Sequence, residues 1–228
     1  DAAEATGIAL AVGSQRASLE GARSQAALRR RAPSVPLIGN LGGVQLAAPG
    51  GIDLARRAVA DIGADAIFIH LNPLQEAVQP EGETDWRGVL DAIKTLVGTL
   101  DVPVMVKEVG AGIGPDVARH LFDAGVYAVD IAGLGGTNWT RIEAARREDA
   151  DLFEPFLDWG LPTVDALRAV RSACPKARLI ASGGVENGLD AAKALWLGAA
   201  LVSMAGPVLR ALTTDGCCTP DGAAAIQV

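Results

Sequence analysis

The chain has 228 residues, half of them apolar and only 4% aromatic, which is enough to bury one large core. A formal charge of −7 would be repelled by nucleic acid and by anionic membranes, which argues against both as partners and leaves room for a local basic pocket. The three cysteines, Cys174, Cys217 and Cys218, lack metal-ligand spacing and read as free thiols of a reducing, cytoplasmic compartment, and no apolar run reaches the roughly 20 residues that span a bilayer.

The chain opens on what reads as the end of a helix, residues 1–6, without an initiator Met. A strand is predicted over 8–12, ending at Gly13-Ser14-Gln15-Arg16, then a helix over 20–30 and a strand over 36–38 whose carboxyl-end loop is 39–43. Ile52, Ala55, Val59 and Ile62 fall on one helical face, and that helix stops at Gly63. A strand over 66–71 leads into a loop over 72–83, after which Thr84 is placed to cap a helix burying Val89, Leu90, Ile93, Leu96 and Val97. Next come a strand over 104–109, a helix with Pro115 in its first turn and Gly125 at its end, and a strand over 128–132 running into Gly133-Leu134-Gly135-Gly136-Thr137. The charged connection 138–160 is too long for a simple link and reads as a lid or active-site loop. Pro162 opens a helix through Ala173. A strand from Leu179 then meets Gly183-Gly184, a helix capped by Asn187 follows, and an apolar run from Leu201 ends at Ala205-Gly206.

Seven apolar strands, each followed by helix, predict a parallel sheet covered on both faces. Eight such strands close a barrel, so the expectation is a single-domain (β/α)8 TIM barrel over 1–228 with its first strand before Asp1. The rival, an open doubly wound sheet, is disfavoured because no Gly-x-Gly-x-x-Gly follows the first strand.

A parallel barrel carries its chemistry at the carboxyl ends of its strands. Those positions hold Ser14, Gln15 and Arg16; Asn40; His70, Asn72, Gln75 and Glu76; Lys107 and Glu108; Asp130; Thr137; Ser182 to Val185; and Ala205 with Gly206. The Gly183-Gly184 turn before a helix start suits a phosphate, and Ala205-Gly206 would lie beside it. Lys107 ends an apolar strand, where it serves a ligand or pairs with Glu108 or Asp130. His70 reads as acid/base group, ligand or structural residue, the last being favoured for a histidine taken alone, while Asn72 and Gln75 add amides that could orient a substrate without charge. Glu76 could hold Mg²⁺ as one carboxylate beside substrate phosphates, whereas zinc would need more His or Cys.

Several segments together resemble type II isopentenyl-diphosphate isomerase. They are Gly13-Ser14-Gln15-Arg16, His70-Leu71-Asn72-Pro73-Leu74-Gln75-Glu76 with Gln79-Pro80-Glu81-Gly82, Val106-Lys107-Glu108-Val109-Gly110, Gly135-Gly136-Thr137-Asn138-Trp139 and Ser182-Gly183-Gly184. The resemblance implies an FMN-dependent barrel that interconverts isopentenyl and dimethylallyl diphosphate, requires reduced flavin and Mg²⁺, takes its reducing power from NADPH, and assembles into tetramers or octamers. It implies that Ser14, Asn40, Lys107, Thr137, Gly183, Gly184, Val185, Ala205 and Gly206 hold FMN. Ser14, Gln15, Arg16 and Gln75 would meet substrate, with Arg16 on the diphosphate, and Glu76 would bind the metal. His70, Asn72, Gln75, Trp139 and Glu143 match catalytic positions. Against the family pattern, a basic amino-terminal segment and a Met-Thr-Gly-Gly flavin loop are not found, and the tail from Thr213 is shorter. Two rivals stand beside this reading. An FMN-dependent α-hydroxy-acid oxidase or dehydrogenase would need a His-Gly pair late in the chain, but both histidines, His70 and His120, lie in its first part. The other rival is a non-catalytic flavin- or phosphate-binding barrel.

Overall fold

The computed structural model describes residues 1–21 and 24–213; Cys217 and Cys218 lie outside the described residues. Seven parallel strands run in sequential order: β1 (Leu10–Ala11), β2 (Leu37–Gly42), β3 (Ala66–His70), β4 (Val104–Lys107), β5 (Ala128–Asp130), β6 (Leu179–Ala181) and β7 (Leu201–Val202). The main helices are α1 (Gly51–Ile62), α2 (Pro73–Val78), α3 (Val89–Val97), α4 (Pro115–Asp123), α5 (Trp139–Ala144), α6 (Thr163–Ala173), α7 (Gly188–Trp196) and α8 (Gly206–Thr213). A strictly sequential parallel order is that of a (β/α)8 barrel, and it excludes the doubly wound alternative, whose strand order reverses at a switch point.

Successive strand residues face opposite sides of a sheet, so each strand here sorts into two sets. Leu41, Ile67, Ile69, Val104, Val106, Val129, Leu179 and Ala181 pack outward under the helices, against residues such as Ala55, Ile93, Leu121 and Val170. Burying side chains of this size contributes about 2 kcal/mol each, which is what holds the helical layer on the sheet. Ala66, Phe68, Met105, Ala128 and Ile180, with Ile38 against them, form a second cluster on the inner face. Continuing that inner set by two residues along each strand replaces carbon with Asn40, His70, Lys107, Asp130 and Ser182. The sheet interior is therefore apolar at one level and polar at the carboxyl-end level.

Local differences from the sequence reading have physical reasons. The predicted helix over 20–30 is two short turns, Arg16–Glu20 and Ala27–Arg31, the first of which ends at Gly21. The loop 39–43 is mostly strand: β2 runs to Gly42 because Asn40 to Gly42 pair with Phe68 to His70. The loop 72–83 contains α2, opened by Pro73, whose missing N–H is no loss at a first helical position. Thr84 does not cap α3, which starts after Gly88 in a left-handed conformation. Asn187 caps α7 as expected, its Oδ1 accepting from the N–H groups of Leu189 and Asp190 at 2.9 and 3.0 Å.

Candidate active site

Register sets up the site. Gly42 pairs with His70, His70 with Lys107, Lys107 with Asp130, and Asp130 with Ile180, so three ionisable residues from consecutive strands stand at one level of the inner face. Asn40 closes one side: its Nδ2 donates to the Val12 carbonyl at 3.0 Å and its Oδ1 lies 2.8 Å from His70 Nδ1. Ser182 closes the other, its hydroxyl donating to Asp130 Oδ1 at 2.7 Å.

Burial dominates the electrostatics of this ring. It lowers the His70 pKa to about 4, with the Lys107 charge pushing the same way. It raises Asp130 to about 6 against the stabilising Ser182 hydrogen bond and the Lys107 charge. It depresses Lys107 from its usual value, opposed by Asp130 and Glu108. Lys107 Nζ donates to the Glu108 main-chain carbonyl at 3.0 Å, and among the described residues no carboxylate oxygen lies within ion-pair reach of it. A half-buried ammonium so placed favours an electron-rich ligand.

The next two loops lie against each other. A Cβ on Gly183 would come within 2.1 Å of the Gly133 carbonyl oxygen, and one on Gly184 within 2.6 Å of that of Gly135, so only glycines allow this approach. Their φ values of 96° and 80° require glycine as well. Thr163 Oγ1 lies 3.0 Å from the Ser182 carbonyl oxygen and 2.7 Å from that of Gly183. The N–H groups of Gly183, Gly184 and Val185 make no hydrogen bond to another described residue. Ala205-Gly206 follows β7, which pairs with β6, and the Arg210 guanidinium in the second turn of α8 reaches Glu186. The two small-residue turns are thus neighbours, and their amide groups fit a phosphate at a helix start. With Lys107 and Asn40 at the adjacent rim, the residues present fit FMN.

A cleft beside the ring is lined by Leu74, Gln75, Val109, Leu134, Trp139 and Trp159, with α2 and α5 as its walls. Asn72 Nδ2 donates to Gln75 Oε1 at 3.2 Å and to Glu76 Oε1 at 2.9 Å, and Gln75 Nε2 donates to Glu143 Oε1 at 3.1 Å. The other Glu76 oxygen accepts from the Glu83 N–H at 2.8 Å, and Arg16 pairs with the Glu83 carboxylate at 3.0 Å. No group of three or more His, Cys, Asp or Glu suited to a metal ion occurs among the described residues. Each Glu76 oxygen thus already accepts one hydrogen bond, and a cation at this carboxylate would have to draw its other ligands from elsewhere.

The structure therefore brings together Asn40, His70, Lys107, the Gly183-Gly184-Val185 turn and Ala205-Gly206 on one rim; Gln75 and Trp139 line the cleft, with Asn72 and Glu143 bonded to Gln75 and Glu76 bonded to Asn72. Ser14 lies exposed at the end of β1, and Thr137 lies exposed on the loop between Gly110 and Gly184. Gln15, which follows Ser14 in sequence, differs in exposure. It is fully buried, its Nε2 donating to the Ala58 carbonyl at 3.0 Å and its Oε1 accepting from the Asn40 N–H at 2.9 Å. Both ends of its amide tie α1 to β2, so its side chain holds the strand-end loop that carries Ser14 and Arg16.

The sequence offered Glu108 only as an ion-pair partner for Lys107, and its carboxylate turns to its own loop instead. One of its carboxylate oxygens accepts from four successive N–H groups, those of Val109 and Gly110 at 2.7 Å, of Ala111, and of Gly112 at 3.1 Å. Burial raises its pKa while those four bonds oppose the rise. The loop that carries Lys107 into the cleft wall is thus wrapped around an internal anion. Its position beside Gly110 and Gly112 was the available signal.

A parallel barrel with a cationic inner rim and a main-chain anion site between its last two strands is the architecture of a phosphate-anchored cofactor enzyme. The family model described as FMN-dependent dehydrogenase matches residues 55–224. The chain belongs to that family. It is similar to isopentenyl-diphosphate delta-isomerases: 56% identical to that of Stutzerimonas stutzeri over 92% of this chain and 63% of the relative, 54% to that of Xanthobacter autotrophicus over 94% and 64%, and 48% to that of Synechocystis over 92% and 61%. The chain thus spans somewhat under two thirds of these relatives' length. Among solved structures, a mandelate oxidase variant with benzaldehyde shares the fold, with a TM-score of 0.61 at 22% identity over 97% of this chain and 61% of that one.

Proposed function

We propose that the protein is an isopentenyl-diphosphate delta-isomerase that interconverts isopentenyl and dimethylallyl diphosphate. The observation that carries this reading is the uncharged amide of Gln75, oriented by Asn72 and Glu143 in a cleft that is also lined by Trp139 and by Glu108, the residue after Lys107. Such a site orients an alkene without offering it a strong nucleophile.

In this reading FMN is held by Ser14, Asn40, Lys107 and Thr137 and by the main-chain groups of Gly183, Gly184, Val185, Ala205 and Gly206. These residues would hold the flavin, which, reduced by NADPH, would supply acid/base chemistry. Lys107 stabilises negative charge at the rim, and burial keeps His70 neutral, so it orients the reacting end through hydrogen bonds rather than charge. Gln75 and Trp139 fix the alkene. Glu76 would hold Mg²⁺ and Arg16 would meet the diphosphate, which would supply orientation and charge neutralisation. The enzyme works as one domain in a cytoplasmic homo-oligomer, a tetramer or octamer, and takes small-molecule partners alone. Cys174 being a free thiol supports the compartment, and the exposed Leu195 and Trp196 on α7 offer apolar surface for assembly.

The test is incubation of the whole protein with dithionite-reduced FMN, Mg²⁺ and isopentenyl diphosphate. Dimethylallyl diphosphate is the expected product. Its absence, or reduction of the flavin by a 2-hydroxy acid instead, would reject the reading.

A further inference from the structure

A chain of side chains leaves the cleft and ends on the surface. Gln75 Nε2 donates to Glu143, whose other oxygen is held by the Arg146 guanidinium, and Arg146 Nη2 reaches Glu81 at 2.8 Å. Glu143 is only 5% exposed, so Arg146 is the cation that balances a carboxylate nearly out of water. Removing one partner of such a pair leaves the other uncompensated. Glu143 would then be free to turn outward, and the Gln75 amide would lose the acceptor of its Nε2, leaving only the longer 3.2 Å contact from Asn72 to its Oε1.

The neighbouring residue provides a control within the same turn. Arg147 also crosses to the α2 segment, its Nη1 donating to the Val78 carbonyl at 3.1 Å, and it pairs with Asp149 at 2.6 Å while covering the Phe153 ring at 4.6 Å. It docks the end of α5 against α2 without touching Glu143. The two arginines thus separate docking from orientation.

We propose that Arg146 is a positioning residue: it anchors Glu143 and, through it, holds the Gln75 amide in the orientation presented to substrate. The proposal rests on the isomerase reading. It is tested in the whole protein, with reduced FMN and Mg²⁺, by comparing Arg146→Met, Arg146→Lys and Arg147→Met. Arg146→Met should lower kcat by about tenfold to hundredfold, the usual consequence of a misplaced reacting group, with KM for isopentenyl diphosphate changed by less than about threefold. Arg146→Lys should recover part of the loss, and Arg147→Met should stay within about threefold of wild type. A second readout is hydrogen exchange of the Gln75 side-chain amide by NMR, expected to be protected in wild type and Arg147→Met and unprotected in Arg146→Met. Wild-type turnover with unchanged kcat in Arg146→Met, equal losses in Arg146→Met and Arg147→Met, or a Gln75 amide still protected without Arg146 would overturn the positioning role. A wild-type protein that fails to isomerise would remove the isomerase reading itself.

Discussion

His70 and Asp130 should make opposite contributions to stability across the same pH window. Asp130 is fully buried and titrates at about 6 when folded, against an ordinary value of 3.8; His70 titrates at about 4, against 6.5. Between pH 4 and 6 the folded protein keeps a proton on Asp130 that the unfolded chain has released, so this residue's contribution falls as pH rises. Over nearly the same range the unfolded chain binds a proton at His70 that the folded protein refuses, so that contribution rises with pH. At about 1.4 kcal/mol per pH unit, each amounts to about 3 kcal/mol. The His70 share is smaller, because the residue is partly exposed at the rim. In wild type the two slopes largely cancel. Single neutral variants uncover them: relative to wild type, Asp130→Asn should gain stability from pH 4 to pH 6.5, and His70→Gln should lose it over the same interval. Urea unfolding of the apoprotein at half-unit pH steps measures both differences. Two flat lines, or two slopes of the same sign, would refute a dry ring with Lys107 at its centre.

Three further outcomes follow from the same geometry. Lys107→Met removes a half-buried cation that has no ion-pair partner among the described residues, so the apoprotein should melt at an equal or higher temperature while FMN affinity falls by roughly tenfold or more; a matched fall in both would mean Lys107 is a structural group. Gly184→Ala puts a Cβ within 2.6 Å of the Gly135 carbonyl at a φ of 80°, and should destabilise the fold by about 2 kcal/mol as well as abolishing flavin retention, readable by denaturation and absorbance. Glu76→Gln keeps the Asn72 contact but loses a charge, so the magnesium requirement should rise steeply while bound flavin is unchanged; an unaltered magnesium titration would reject Glu76 as the metal ligand.

What the sequence disclosed depended on how local the cause was. Lys107 stood out because a charge at the end of Val104-Met105-Val106 has no local explanation, and Gly183-Gly184 because paired glycines between strand and helix point to close approach. The Asn187 cap is a contact over three residues, and its reading held. Gln15 looked the same as its neighbours Ser14 and Arg16, and only the packing of α1 across β2 decides that its amide is buried. The His70–Lys107–Asp130 level comes from strand register, which pairs residues 23 to 37 positions apart and leaves no mark on any single segment. Arg146 is more remote still, since its partner Glu81 lies 65 residues earlier and becomes a neighbour only when α2 and α5 meet. The helix α2 could have been read from Pro73 at its first position, but the polar Asn72, Gln75 and Glu76 suggested a loop.

The most direct measurement is a crystal structure of the whole protein with FMN and isopentenyl diphosphate. The flavin phosphate is expected on the main-chain amides of Gly183 to Val185 and of Ala205-Gly206, the ring beside Lys107, and the substrate alkene between that ring and Gln75. Flavin density on another face of the barrel, or a substrate diphosphate remote from both Glu76 and Arg16, would contradict the account.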